Sequence, residues 1–71
     1  VWPNPFHDAL QIRTVPQTKY YLHTLQGKIL AKGVTKQEYT TIHNLNQMKS
    51  GMYFLQLEEG QKVKTFSIWK Q

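Results

Sequence analysis

The chain has 71 residues, enough for one domain, and its 39% hydrophobic and 13% aromatic content is too rich in large side chains for a disordered tail. No apolar run approaches the ~20 residues of a membrane-spanning helix, no basic-then-apolar leader opens the chain, and no cysteine offers a disulfide or a Cys/His zinc site. Nine Lys and Arg against four acids give a net charge of +5; the lysines (Lys19, Lys28, Lys32, Lys36, Lys49, Lys62, Lys64, Lys70) are dispersed as on a solvated basic surface and lack the dense run of a nucleic-acid tail.

Trp2-Pro3-Asn4-Pro5-Phe6 comes first. Two prolines one residue apart fix two φ angles and push the preceding residues toward extended geometry, so a stiff, extended, non-helical lead-in is expected. Leu10-Gln11-Ile12-Arg13 alternates apolar and polar, the period-2 signature of a half-buried strand with Leu10 and Ile12 inward, and Pro16-Gln17 turns the chain. Lys19 to Thr24 forms a second strand with Tyr20 and Leu22 inward. Gly27 admits the positive φ of a hairpin, and Ile29 to Lys32 returns, with its inward face left open by the pattern. Gly33 to Lys36 reads as a loop. The β-branched residues between Glu38 and Leu45 suit a pleated strand, and Asn44, Asn46 and Gly51 punctuate the next connection. Met52 to Glu58 alternates most clearly; Glu59-Gly60 signals a hairpin, and a last strand runs from about Lys62 to Trp69 with Phe66 and Ile68 on one face. No window repeats apolar residues at helical spacing. Six to seven short strands with regular turn signals predict an all-β domain, a sandwich or a small barrel. Such a small core rarely supplies more than about 3–5 kcal/mol, so stability is expected from packing alone or from packing against something else.

The residues give no catalytic constellation. His7, His23 and His43 lack partners at ligand spacing, apart from Asp8 beside His7, so neither metal nor cofactor is expected. Glu58 and Glu59 are neighbours and face opposite sides of a strand, unlike an acid/base pair. Ser50 and Ser67 sit in no nucleophile context, and the four glycines fall at separate turns, so no phosphate loop is built. Tyr20, Tyr53 and Phe66 fall on the inward parity and are accounted for as core. Trp69, Tyr21 and Phe54 fall on the other, where apolar side chains mark a contact surface or an irregular edge of a small core.

Taken in order, four segments resemble the C-terminal sorting domain of proteins exported by the type IX secretion system. Trp2-Pro3-Asn4-Pro5-Phe6 resembles the family's aromatic-Pro-Asn-Pro opening. Gln26, Gly27, Lys28 and Ile29, after the apolar strand that begins at Leu22, resemble its hairpin. Met48-Lys49-Ser50-Gly51-Met52-Tyr53-Phe54-Leu55 resembles its Leu-x-x-Gly-x-Tyr-x-apolar segment, and Lys70 its lysine near the terminus. His23, Thr24, Met48 and Ser67 depart from the family pattern.

The resemblance implies an immunoglobulin-like β-sandwich, residues 1–71, at the end of a larger secreted protein, an expectation that Val1 in place of Met also fits. It implies a non-catalytic address. The cargo crosses the inner membrane on a separate signal, the domain directs it through the outer membrane, and a surface sortase usually removes the domain, with release or attachment to an anionic lipopolysaccharide. The expected partners are the translocon and the sortase, with no nucleic acid and no transmembrane segment, and with edge strands open to pairing into a homodimer. The expected recognition residues are Gly51, Tyr53, Lys64, Trp69 and Lys70, and the expected structural motif residues are Pro3, Asn4, Pro5, Gly27 and Lys28. Two other readings compete: a retained adhesive or structural immunoglobulin-like domain, and a small basic barrel that binds single-stranded nucleic acid with strong salt dependence.

Overall fold

Each alternating segment becomes a strand, and the strands divide into two layers. The computed structural model describes residues 1–71 and contains β1 (Leu10–Arg13), β2 (Lys19–His23), β3 (Ile29–Val34), β4 (Tyr39–Ile42), β5 (Gly51–Glu59) and β6 (Lys62–Lys70), with no helix. β1 and β4 form a two-stranded sheet, and β3-β2-β5-β6 a four-stranded one. Every pairing is antiparallel. The architecture is the all-β, immunoglobulin-like sandwich expected from the sequence.

Register explains the core. On β2, β5 and β6 the cross-strand pairs Leu22↔Leu55, Tyr20↔Leu57 and Tyr53↔Ile68 share one face, because directly opposed residues in a ladder point the same way. Leu22, Leu55, Leu57 and Ile68 are buried there, against Phe6, Leu10, Ile12, Ile42 and Leu45 from the smaller layer and its flanks. Fully burying such a side chain is worth about 1.5–3 kcal/mol.

The turns follow their chemistry. Gly60 (φ 60) starts the two-residue hairpin between Glu59 and Lys62, where a positive φ at the first central position matches the strand twist. At the same pole, where Lys19 lies opposite Glu58, the chain turns through Val15-Pro16-Gln17. Two fully buried threonines seal that turn: Thr18 Oγ1 donates to the Val15 carbonyl at 2.7 Å, Thr35 Oγ1 donates to the same oxygen at 3.1 Å, and Thr18 N–H donates to Thr35 Oγ1 at 3.1 Å. No buried side-chain polar atom is left without a partner.

Three expectations are corrected. First, Gly33 and Val34 extend β3 and are not loop. Gly33 lies opposite Tyr20, and a Cβ on it would come within 2.5 Å of the Tyr20 hydroxyl, so this glycine makes room for a ring. Second, the stretch around Glu38 to Leu45 contains only a four-residue strand; Leu45 is buried from the following loop, its N–H donating to the Asp8 carbonyl at 2.9 Å. Third, Phe66 faces inward as the alternation requires but stays 37% exposed, because the two-stranded layer is too narrow to cover it.

The N-terminal segment is more than a lead-in. Trp2 bridges to Gln11 on the free edge of β1, and Phe6 bridges in parallel to Lys70 on the free edge of β6. Residues 2–6 therefore strap the two sheets together on one side, with cis bonds at Trp2-Pro3 and Asn4-Pro5. Trp2 packs edge-on against Tyr39, with ring centroids 6.4 Å apart. Arg13 Nε donates to Glu38 Oε2 at 3.1 Å; that bond, then the charges of Tyr39 and Glu38, raises the guanidinium pKa. Both partners are exposed, so this ion pair adds little stability.

Candidate recognition surface

β6 is an edge strand, and its two halves meet different surroundings. Its side chains alternate, with Lys64, Phe66, Ile68 and Lys70 on the inner parity and Val63, Thr65, Ser67 and Trp69 on the outer face. Its backbone alternates as well. The Trp69 carbonyl accepts from Phe6 N–H at 2.8 Å, and Trp69 N–H donates to Asn4 Oδ1 at 2.9 Å, so Trp69 turns its polar backbone groups away from β5. By the antiparallel alternation, Ser67, Thr65 and Val63 do the same. The Asn4 amide also donates, at a long 3.5 Å, to the Ser67 carbonyl. The asparagine side chain thus stands in for a neighbouring strand. Gln71 N–H donates to the Phe6 carbonyl at 2.9 Å and completes the clasp. Upstream of Ser67 no strand or strap covers the edge.

The clasp gathers most of the expected recognition residues. Lys70 lies opposite Gly51, and Trp69 opposite Met52. Gly51 has φ 145, in the region that favours glycine, and starts β5. Lys70 is buried, its ammonium donating to the main-chain oxygen of Gln71. The Trp69 side chain lies on the outer face, 49% exposed, beside Met52 at 44%. Tyr53 lies opposite Ile68, half-buried, and its hydroxyl donates to the Lys49 carbonyl at 2.6 Å. Pro3 and Pro5 flank Asn4 on the exposed surface of the strap. Lys64 is not part of this group. It lies about 20 Å up the strand at ~3.3 Å per residue, in a small groove with Arg13, Glu59 and Phe66.

Gly27 and Lys28 sit at the same pole of the sandwich, across a cleft from the loop before β5. Gly27 has φ 90 in a turn that Thr24 closes: its carbonyl accepts from Gly27 N–H at 3.0 Å and its hydroxyl from Lys28 N–H at 3.1 Å. The cleft has a volume of about 450 Å³ and is lined by Lys28, Leu30, Met48, Lys49 and Tyr53, among others. Motif residues separated by twenty positions thus converge on one concavity. Leu30, Asn44 and Lys49 lay outside the sequence expectations for a site. Lys49 adjoins the Gly51 motif, which is a local signal; Leu30 gives none, because its direction depends on a bulge in the β2–β3 register.

The family model described as secretion system C-terminal sorting domain matches residues 1–71, the whole chain. The chain belongs to this family of type IX secretion sorting domains. No curated protein and no solved structure matches it. The sorting domain is a C-terminal signal for the type IX machinery, and signals of this family are non-catalytic. Its partner is that machinery, and the signal implies export through the outer membrane to the cell surface or extracellular space. No helix of the sorting domain is long and apolar enough to cross a membrane.

Proposed function

We propose that the type IX translocon reads the sorting domain at the pole where β6 ends, through Trp69 and the Gly51–Tyr53 corner, with Lys70 fixing the strand end behind them. The observation that carries this reading is the clasp: Asn4 and Phe6 hold the backbone of Trp69 while its indole stays uncovered on the outer face. A side chain held on a rigid strand binds with little loss of conformational freedom. The open edge from Lys62 to Phe66, which carries Lys64, offers unpaired backbone groups to an added strand of the translocon. The cargo is in the periplasm when the domain is read. After passage a surface sortase removes the domain, and the cargo is released or joined to anionic lipopolysaccharide.

The test is an inert reporter that carries a signal peptide and ends in this domain. Deleting Trp69 to Gln71 is expected to stop export. That deletion also removes the partners of Asn4 and Phe6, so Trp69→Ala is the decisive variant, since it spares the clasp backbone. Lost export with an unchanged melting temperature supports the reading. Unimpaired export of the folded Trp69→Ala protein refutes it. The mass of the exported reporter tests sortase removal, which predicts a product lacking residues 1–71.

A further inference from the structure

The cleft between the β2–β3 turn and the loop before β5 has the composition of a binding site. Its floor is apolar: Leu30, Leu45, Met48 and Tyr53 line it. Leu30 reaches it because the β2–β3 register slips by one residue between Leu22 and His23; the pairs are Leu22↔Ala31 and His23↔Ile29, and Leu30 is the extra residue. Bulges re-aim side chains in this way, often beside functional sites. Leu30 is left 40% exposed in the cleft, without a covering partner.

Both walls are fixed by hydrogen bonds. On one side Thr24 N–H donates to the Lys28 carbonyl at 2.9 Å, in addition to the two turn bonds that Thr24 accepts. On the other, the Tyr53 hydroxyl holds the Lys49 carbonyl and Met48 N–H donates to the Leu45 carbonyl at 3.1 Å. Such a site binds without first having to be ordered.

The rim has one sign of charge. Lys28 and Lys49 line it, and none of the four carboxylates does. The remaining lining groups are Thr24, Asn44 and Gln47. A hydroxyl and two primary amides present both donors and acceptors, which suits the alternating N–H and C=O groups of a peptide backbone; a phosphate or a lipid headgroup offers acceptors almost alone. From this combination we infer that the cleft binds an acidic peptide segment of a partner protein, a large apolar side chain seated on Leu30 and Met48 and flanking carboxylates on Lys28 and Lys49. The inference rests on the sorting reading for its reason to expect a protein partner, and it is tested without export.

The experiment is a ¹⁵N-resolved NMR titration of the 71-residue chain with a synthetic peptide of two leucines flanked on each side by an aspartate and a glutamate. Saturable shifts confined to Thr24, Lys28, Leu30, Asn44, Met48 and Lys49 are expected. A peptide with lysines in place of the acids is expected not to bind. The double variant Lys28→Glu, Lys49→Glu is expected to weaken binding about tenfold or more while keeping its dispersed spectrum, as removal of close charge pairs does. Leu30→Ala, which adds no charge, is expected to weaken it a few-fold. Shifts spread evenly over Lys19, Lys36 and Lys62, equal binding by the folded double variant, or occupation of the cleft by phosphatidylglycerol vesicles or inorganic phosphate without peptide binding would each overturn the proposal. Absence of peptide binding likewise overturns it while leaving the Trp69→Ala export result readable, and failed export of that variant leaves this titration readable.

Discussion

Phe66 and Ile68 stand two residues apart on one strand, on the same face, and fare differently. Ile68 is 3% exposed and Phe66 37%. The strand treats them alike; what lies above them does not. Ile68 belongs to the same buried cluster as Phe6 of the strap, whereas Phe66 borders a small groove near Arg13, Lys62 and Lys64. The backbone repeats the contrast, since the Trp69 N–H and carbonyl are both satisfied by the strap and those of Thr65 face solvent. In a sandwich whose second layer has only two strands, burial and edge protection are set by the covering layer.

The sharpest test of this contrast uses proline along β6. Phe66 directs its N–H into the β5 ladder and Thr65 directs its own outward, by the alternation that Trp69 fixes. Phe66→Pro is expected to cost about 3 kcal/mol or more, enough to unfold a domain of this size. Thr65→Pro is expected to be tolerated as an edge proline. Circular dichroism melts of the two variants check this, and equal damage would break the assignment of the open edge.

Side-chain truncation comes next. Ile68→Ala is expected to destabilise by about 2–4 kcal/mol through lost burial and a residual cavity. Phe66→Ala is expected to cost about 1 kcal/mol or less, although it removes more atoms, because its ring is already in contact with water. Urea unfolding measures both, and a reversed order would show that the groove closes over Phe66 in solution.

The smallest effects concern the clasp. Asn4→Ala is expected to cost about 1 kcal/mol for the bonds it deletes. Its local signature is larger: amide exchange at Trp69 accelerates, while Thr65, which has no protein partner on that side, exchanges fast in both proteins. Protection of Thr65 in the unmodified chain would mean that the edge is covered, by a second copy or otherwise.

Much of the fold was legible along the chain. Leu10-Gln11-Ile12-Arg13 alternates cleanly and is β1 residue for residue; β2 and β6 depart from the expected bounds by one residue at one end, and β5 by one residue at each end. Local sequence suffices there because each strand has one buried and one solvated face, so period-2 alternation carries the information. It fails at β3, where Gly33 reads as a turn signal but serves the Tyr20 ring on the neighbouring strand, and where the bulge decides which way Leu30 points. For the candidate site, the motifs around Gly27 and Gly51 were visible separately. Their convergence on one cleft was not, because nothing local states that residues 28 and 49 will face each other.

The sequence by itself determined that this chain is all-β, where β1, β2, β5 and β6 lie to within a residue at each end and which parity of those four points inward, because these follow from side-chain alternation and from prolines and glycines acting on their own backbone. Only the tertiary structure decided that Asn4 closes the edge at Trp69, that Phe66 stays wet while Ile68 is dry, and that Lys28 and Lys49 share a rim. Each of these depends on contacts between segments from 21 to 65 residues apart, which are set by how the narrow layer seats on the wide one.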